Sequence, residues 1–296
     1  MEPPIKPDES DCCNSGCSPC ILDVYEDQLR KFRAAKCSSQ TLANCLSLTS
    51  YSVFRLAATK GHTKDSRFFT FQYVRPEKCR PQSASTNVVY EPGQYLLFKG
   101  RIHGEMFQKA YTPIYVENQV SNCFTVLVKL YENGRASNLF KTLRVGTETL
   151  WRGPYGDFRI NYEQKHMLFI AQGTGLAPFY NILIKMLSNE DCYCFVTLFF
   201  CCQEKNILLR DELYKLKDYW NFQCELFISG PNKHSFDKKY NEIVHFNRIT
   251  VEDIQRFMES VKGSFKVPIC GSQSFCDNIK NILLECNVAK ENITVF

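Results

Sequence analysis

The chain has 296 residues, and 36 Lys and Arg against 31 Asp and Glu give it a formal net charge of +5. The positive charge is spread along the chain, which argues against a nucleic-acid-binding protein, because such proteins concentrate basic residues on one element. No stretch approaches the roughly 18 uninterrupted apolar residues of a membrane span. With 44% hydrophobic and 23% charged residues, the composition is globular and the length predicts two domains.

The start of the chain combines a proline-containing, acidic stretch with closely spaced cysteines. MEPPIKPDES has no apolar core of the kind that a signal peptide needs, and the chain is long enough to fold without disulfides. Its sixteen cysteines are therefore expected to be mostly buried thiols in a reducing compartment. We predict a cytoplasmic protein that is not secreted, with peripheral attachment to an organelle membrane as an open alternative.

Residues 1–45 form a cysteine-rich arm. The stretch DCCNSGCSPC contains four cysteines, namely Cys12, Cys13, Cys17 and Cys20. Thiolates at this spacing can hold zinc in tetrahedral geometry or an iron–sulfur centre. The alternative is an arm of unliganded, redox-labile thiols. In a reducing compartment, clustered cysteines favour metal ligation over disulfides.

Residues 50–160 predict an antiparallel β-barrel. Short runs rich in β-branched and aromatic residues alternate with clusters of Gly, Pro, Asn and Asp at hairpin spacing. These runs are VFRLAATK, RFFTFQYV, QYLLFKG, CFTVLVKLY and TLWRG. Several short strands separated by such turn signals are typical of a sandwich or a barrel.

Residues 161–296 predict an open parallel α/β domain. Strand-like runs alternate with helix-like runs, beginning with HMLFIA, PFYNILIKMLSNE and CFVTLFFCC and ending with FCDNIKNILLECN and ITVF. This alternation is typical of βαβ crossovers in a parallel sheet. The predicted fold class is therefore an antiparallel β-barrel followed by an open parallel α/β domain, with a short cysteine-rich N-terminal arm.

A glycine-containing turn separates the first strand and helix of the α/β domain. HMLFIAQGTGLAPFYNIL places Gly173, Thr174 and Gly175 after a strand, and Pro178 near the start of a helix, where proline is tolerated. Glycines let the backbone approach an anion, and the N–H groups of a helix start favour phosphate. Alone, the turn is equally consistent with an ordinary βα connection, because the third glycine of the dinucleotide fingerprint is missing.

The barrel half carries two polar segments. KAYTPIY, at residues 109–115, and VKLYENGRASNLF, at residues 128–140, offer an aromatic ring, hydroxyls, cationic side chains and a glycine turn. A ligand with a flat ring system at one end and a diphosphate at the other needs these groups. Taken singly, the first segment is consistent with a strand end and the second with a hairpin turn.

Five short motifs occur in an order that is specific to one group of proteins. The barrel half has (K/R)-x-Y-T, G-(K/R)-x-S and G-P-x-G, and the α/β half has strand-G-T-G-x-x-P and a late Cys270-Gly271. From about residue 52 to Phe296 the chain resembles the ferredoxin-reductase-like flavoenzymes, and within them the NADH-cytochrome b5 reductases. The arm resembles the oxidoreductase-like cysteine segment at the start of some otherwise unrelated proteins.

The resemblance implies an FAD site in the barrel. Tyr111 would pack on the flavin ring, and Thr112 would lie near the nitrogen that accepts hydride. Lys109 stands where the family usually has arginine on the diphosphate, so the bidentate fork is lost. Backbone N–H groups of the G-R-A-S loop would cradle the diphosphate. The residues implied in this half are Lys109, Tyr111, Thr112, Pro113, Val128, Lys129, Tyr131, Gly134, Arg135, Ala136 and Ser137.

The resemblance also implies a nicotinamide site in the α/β domain. The residues implied there are Gly173, Thr174, Gly175, Pro178, Cys270, Gly271 and Phe296. Thr112 and Cys270 are the residues implied in catalysis. The chain departs from the family pattern where Gln172 replaces a small residue, where Ser272 begins a usually proline-rich stretch, and where FISGPNKH lacks an expected acid. NADH is the expected donor, and NADPH stays open because that acid is missing.

The implied activity is hydride transfer from NADH or NADPH to FAD, followed by transfer of single electrons to a haem protein such as cytochrome b5. The expected partners are a nicotinamide nucleotide and a b-type cytochrome, with no nucleic acid and no transmembrane segment. The alternative is a flavoprotein-derived binding or scaffold protein with weakened catalysis. Lys109, Gln172 and the altered Cys-Gly tail are the sequence features that favour this alternative.

Overall fold

A computed structural model describes residues 44–75, 87–230 and 236–296, and residues 4, 6–8, 11, 21–22, 24–26 and 28–29 of the arm. The chain divides into two compact units after Phe158, and the second unit runs from Arg159 to Phe296. The four predicted metal ligands, Cys12, Cys13, Cys17 and Cys20, lie outside the described residues.

The first unit is built on a seven-stranded antiparallel sheet. Its strands are β1 (Ser52–Thr63), β2 (Ser66–Tyr73), β3 (Tyr95–Ile102), β4 (Glu105–Tyr111), β5 (Pro113–Ile114), β6 (Cys123–Lys129) and β7 (Glu148–Tyr155). Their order in the sheet is β4-β3-β7-β1-β2-β6-β5. β4 and β5 lie at opposite ends of this order, yet only Thr112 separates them in the chain. The sheet must therefore curl until its ends meet, which confirms the predicted barrel.

Aromatic side chains fill the inside of this barrel. The ring of Trp151 has its centroid 4.9 Å from those of Phe71 and Phe124, and all three side chains are 0% exposed. The indole Nε1 of Trp151 donates a hydrogen bond to Thr149 Oγ1 at 2.9 Å, so the one polar atom of this ring is satisfied. Apolar burial of this extent is a main source of stability for a barrel of this size.

The helix α1 (Arg135–Thr142) follows β6 in the first unit. The sequence predicts a turn at this point, and the structure differs because Ala136 and Phe140, one helical turn apart, both bury their side chains against the barrel core. Gly134 is the N-cap residue. The G-R-A-S segment is therefore the first turn of a helix and not a hairpin.

The second unit is a six-stranded parallel sheet with helices. Its strands are β8 (His166–Gln172), β9 (Phe195–Gln203), β10 (Phe222–Ser229), β11 (Ile243–His245), β12 (Phe265–Cys270) and β13 (Ile293–Val295). Its helices are α2 (Leu176–Leu187), α3 (Arg210–Leu216), α4 (Val251–Ser260) and α5 (Gln273–Glu285). Every pairing in this sheet is parallel, which confirms the predicted open α/β fold.

The strand order of this sheet determines where a ligand can bind. The order is β11-β10-β9-β8-β12-β13, so the chain builds outward from β8 on one side and then crosses to β12 on the other. In open α/β sheets, ligands bind outside the carboxyl ends of the strands at the point where the strand order reverses. That point lies between β8, which is followed by Gly173–Gly175, and β12, which is followed by Gly271.

The described residues of the arm pack on the outside of the barrel. They contribute to an apolar cluster formed by Ile21, Val24, Leu97 and Tyr155. Beside it, Gln28 Oε1 accepts a hydrogen bond from the guanidinium of Arg152, and both residues are buried. The arm therefore covers the outer face of β3 and β7 around Leu97, Arg152 and Tyr155.

Replacing Val24 by aspartate should destabilise the first unit. Val24 is 1% exposed, so the new carboxylate would be buried among apolar side chains at a cost of roughly 2–4 kcal/mol. The matched control is Leu22→Asp, because Leu22 is 40% exposed. In thermal unfolding of the full chain, we expect a lower midpoint for Val24→Asp and a midpoint near that of the parent for Leu22→Asp. Equal midpoints for the two variants would contradict this packing of the arm.

Candidate functional site

Tyr111 ends β4 at the rim of the aromatic core. Its ring is half-buried, and its centroid lies 5.1 Å from that of Phe140 and 6.0 Å from that of Trp151. Lys109, two residues earlier and also half-buried, shares this face of β4 because side chains two apart in a strand point to the same side. An aromatic ring and a cation therefore occupy one face of the strand end.

The connection from β4 to β5 and the neighbouring β6 hold the next predicted residues. Thr112 links β4 to β5 and is half-buried. Pro113 is buried and in register with Val126. Val128 is 2% exposed and has its side chain in the barrel core. The side chains of Pro113 and Val128 therefore contribute packing, while Thr112 contributes a hydroxyl.

Lys129 ends β6 and contacts two side chains. Its Nζ lies 3.5 Å from Asp65 Oδ2 and 5.6 Å from the centroid of the Tyr131 ring. The Lys129 side chain is 25% exposed and that of Asp65 is 31% exposed, so water partly screens the ion pair. Asp65 lies in the turn between β1 and β2, far from Lys129 in the chain, and no sequence signal pointed to it. The Lys129 ammonium is thereby fixed at this end of the barrel.

The first turn of α1 has the features of an anion-binding site. The backbone N–H of Tyr131 donates to Ser137 Oγ at 3.0 Å, which holds the preceding loop against the helix. Ala136 and Ser137 are both buried. Among the described residues, no side chain caps the N-terminus, and the first turn contains no acidic residue. The N–H groups that follow Gly134 are therefore suited to a phosphate.

Arg135 differs from its neighbours because carboxylates already surround it. Its Nη1 lies 3.1 Å from Asp11 Oδ1, and its Nη2 lies 2.8 Å from Glu105 Oε2. Asp11 comes from the arm, and its side chain is 6% exposed. Two anions offset the charge of this guanidinium. A diphosphate at this loop would consequently depend on backbone N–H groups more than on Arg135.

In the second unit, the turns after β8 and β12 lie in direct contact. Gly173–Gly175 form a 3-10 turn, in which Thr174 is half-buried. A Cβ placed on Gly175 would lie 2.3 Å from the carbonyl oxygen of Cys270, closer than any real contact. Gly173 has a φ of +53°, and no described atom lies within 4 Å of its Cβ position. The turn therefore packs against Cys270 on one side and leaves room for a ligand at Gly173.

Gln172 connects these two turns through its side chain. Its Oε1 accepts hydrogen bonds from the backbone N–H of Ser272 at 3.3 Å and from Ser272 Oγ at 2.9 Å. Ser272 is the N-cap of α5, and its Oγ accepts from the N–H of Phe275 at 3.3 Å. Two positions that depart from the family pattern are thus hydrogen-bonded to each other, which the sequence alone did not indicate.

Pro178 and Phe296 complete the region around the nucleotide turn. Pro178 is buried in the first turn of α2, where no backbone N–H is required. The next residue, Phe179, packs edge-to-face on Phe296 with ring centroids 5.0 Å apart. The backbone N–H of Phe296 donates to the carbonyl of Ile269 at 3.0 Å. The final aromatic residue of the chain therefore lies beside the end of β12.

The thiol of Cys270 is buried and has a raised pKa. The residue is 5% exposed, and this burial raises the pKa of the Cys270 thiol far above its ordinary value. The thiol is therefore protonated at neutral pH, and a protonated thiol is a poor nucleophile. At the end of β12 it contributes a small polarizable surface and not a reactive group.

The donor sets of the two units fit two different groups. The barrel supplies an aromatic ring, two lysines and an uncapped helix start, which suits a ring system joined to a diphosphate. The second unit supplies a glycine turn at the strand-order reversal, which suits a dinucleotide. Within the described ranges, no group of three or more His, Cys, Asp or Glu side chains is placed to hold a metal ion. No helix of the same ranges is both long and apolar enough to cross a membrane.

Comparison with protein families finds matches to oxidoreductase or oxidoreductase-like proteins over most of the chain. Residues 54–160 match the oxidoreductase FAD-binding domain, and residues 169–281 match the oxidoreductase NAD-binding domain. Residues 1–41 match the N-terminal segment of oxidoreductase-like proteins. The FAD-binding match covers Tyr111 and the α1 start, and the NAD-binding match covers the turns after β8 and β12.

Relatives extend this agreement over nearly the whole chain. The human NADH-cytochrome b5 reductase-like protein is 30% identical over 99% of this chain and 94% of its own length, and the mouse protein of the same name is 29% identical over 99% and 95%. The solved cytochrome b5 reductase domain of Ulva prolifera nitrate reductase shares the fold, with a TM-score of 0.71, 21% identity and coverage of 86% of this chain and 100% of that domain. The chain therefore belongs to the NADH-cytochrome b5 reductase-like family of oxidoreductases, which join an FAD-binding domain to an NAD-binding domain.

Proposed function

We propose that this chain accepts hydride from NADH or NADPH and delivers single electrons to a haem protein, a b-type cytochrome such as cytochrome b5. The observation that carries the proposal is the contact between the Gly173–Gly175 turn and Cys270 at the reversal of strand order, in a chain that also has an FAD-binding barrel. Bound FAD supplies the conversion from two-electron to one-electron chemistry. The residues of the chain would bind the two nucleotides, orient them and neutralise the diphosphate charge.

In the barrel, the chain holds the flavin by shape and charge. Tyr111 would pack its ring on the flavin, and the Thr112 hydroxyl would be available to hydrogen-bond the flavin. The ammonium groups of Lys109 and Lys129 neutralise the diphosphate, together with the N–H groups that follow Gly134. Lys109 presents a point charge where an arginine would present a planar fork, which weakens the hold on FAD without abolishing it.

In the α/β domain, the chain orients the nicotinamide nucleotide. The Gly173–Gly175 turn lets the dinucleotide backbone approach the start of α2. The protonated Cys270 thiol borders the nicotinamide as a neutral surface. Hydride transfer moves no separate proton, so the step needs no general base.

The proposed acceptor follows from the relatives and from charge. The curated relatives bear the name NADH-cytochrome b5 reductase-like, and the net charge of +5 suits an acidic protein surface met by diffusion. The metal site at Cys12, Cys13, Cys17 and Cys20 and the cytoplasmic location remain predictions from the sequence.

Spectroscopy of the purified protein tests the proposed function. We expect a yellow protein whose flavin absorbance is bleached by NADH without oxygen and restored by oxidised cytochrome b5. A colourless protein that FAD does not reconstitute would instead support the scaffold alternative. A yellow protein that NADH reduces but cytochrome b5 does not reoxidise would remove the b-type cytochrome as acceptor.

Two substitutions of Lys109 should change the affinity for FAD in opposite directions. Lys109→Arg restores a charge-assisted fork and should tighten binding by about 1 kcal/mol, or about fivefold, whereas Lys109→Met should weaken it. Titration of the flavin-free protein with FAD measures both effects. The control is Lys99→Arg, because Lys99 is also half-buried but lies over the ring of Tyr51 at 5.0 Å. Unchanged affinity in both Lys109 variants would remove this residue from the site.

Gly175→Ala should slow flavin reduction by NADH about tenfold or more while FAD stays bound. The added Cβ would collide with the carbonyl of Cys270 at 2.3 Å, and the forced backbone shift costs roughly 1–3 kcal/mol. Stopped-flow absorbance measures the reduction rate, and the flavin-to-protein ratio measures FAD. Gly61→Ala is the control, since no described atom lies within 4 Å of its Cβ position. Loss of FAD with an unchanged rate would contradict the assignment of this turn.

The enzyme should discriminate weakly between NADH and NADPH. β10 ends at Ser229 and is followed by Gly230, so the expected acid for the ribose hydroxyls is missing. We expect the reduction rates at limiting nucleotide to differ by about tenfold or less, which corresponds to about 1.4 kcal/mol. Stopped-flow reduction with each nucleotide measures the ratio. A preference for NADH of several hundredfold would show that another residue contacts the ribose.

A further inference from the structure

The side chain of Gln172 spans the gap between the ends of two neighbouring strands. Gln172 is the last residue of β8, and Ser272 follows Gly271 just after β12. One oxygen, Gln172 Oε1, accepts from two donors on Ser272, the backbone N–H at 3.3 Å and the hydroxyl at 2.9 Å. β8 and β12 are already paired along their length, so this link extends their connection beyond the last strand residues.

This link lies where the two nucleotide turns are packed most tightly. A Cβ on Gly271 would lie 2.9 Å from Gln172 Cβ and 2.6 Å from the ring of Phe275. On the other side, the Gly175 backbone abuts the carbonyl of Cys270. A small change in the backbone path of residues 270–272 would therefore displace the Gly173–Gly175 turn.

Ser272 also connects the link to α5. Its hydroxyl donates to Gln172 while its oxygen accepts from the N–H of Phe275 at 3.3 Å, and a hydroxyl can do both at once. The N-cap that starts α5 is thereby held in place by β8. Proline at this position would have neither the N–H nor the hydroxyl. Gln172 Oε1 would then lose both of the donors that Ser272 supplies.

We propose that Gln172 and Ser272 form a clasp that fixes the spacing between the Gly173–Gly175 and Cys270–Gly271 turns and thereby sets the affinity for the nicotinamide nucleotide. Gln172 is in this sense a positioning residue, and the proposal rests on the proposed function of these turns. Gln172 is exposed, so its hydrogen bonds compete with water and their loss has a moderate effect.

A double-mutant cycle with NAD⁺ as the probe tests the clasp. Gln172→Ala and Ser272→Ala should each weaken NAD⁺ binding to the FAD-loaded full chain by about threefold to tenfold. The double variant should lose less affinity than the two single losses combined, because Gln172→Ala removes both hydrogen bonds and Ser272→Ala removes one of the same two. Calorimetric titration measures binding without turnover. Gln273→Ala is the matched control, since Gln273 bonds Asp277 at 2.9 Å within α5 and does not contact β8; its affinity should equal the parent's.

Hydrogen exchange provides a second readout that does not depend on the nucleotide. In Gln172→Ala the backbone amides of Ser272 and Phe275 should exchange about threefold faster or more, with no change for the amides of β9. Gln172→Glu retains an oxygen that accepts both donors and should restore slow exchange.

The outcomes distinguish a failure of the clasp from a failure of the proposed function on which it rests. If Gln172→Ala binds NAD⁺ like the parent and exchanges at the parent rate, the clasp is wrong while the nucleotide site stands. Additive losses in the double variant would also overturn the clasp, since they would mean that the two residues act separately. If the parent itself binds no NAD⁺, the proposed function fails, and the exchange experiment still reports whether the link exists.

Discussion

In the second unit, the Gly175 backbone lies directly against the carbonyl of Cys270. No side chain fits there, because a Cβ would lie 2.3 Å from that oxygen. The approach is possible because β8 and β12 are adjacent parallel strands whose carboxyl ends reach the same edge of the sheet. The Gly173–Gly175 turn follows β8, and the buried Cys270 ends β12. Phe296 contacts the carbonyl of Ile269 in β12 and the ring of Phe179 in α2. All three features therefore depend on this adjacency.

Much of this arrangement is predictable from sequence because it rests on local patterns. Strands of alternating or continuous apolar residues, helices with a periodic buried face, and glycines at βα turns each leave a signal within a short window. β1, β2, β3, β6 and β7 of the barrel and the alternation of strands and helices from β8 to β13 were predicted on that basis, whereas the three-residue β11 was not and β4 was predicted only as a strand end. α1 was not, because its helical pattern covers two turns only and Ala136 and Phe140 become an apolar face only once the barrel core is present.

What the sequence could not predict are the side-chain partners that the fold brings together. Lys129 meets Asp65, and Arg135 meets Asp11, across long stretches of chain. Gln172 and Ser272 each looked like a separate departure from a family pattern, and only the structure shows that they are hydrogen-bonded to each other. A hydrogen bond between distant residues depends on tertiary placement, and a single sequence carries no periodic signal for it.

Burial in the folded protein also determines the chemistry of the cysteines. Burial raises the pKa of the thiols of Cys45, Cys194 and Cys202 to about 12, so these cysteines remain protonated and pack as small apolar residues. The same physical cause acts on Cys270, beside the turn where a nucleotide would bind. A thiolate at that position would be a nucleophile and a target for oxidation. Because burial keeps the Cys270 thiol protonated, the end of β12 presents a neutral group beside that turn.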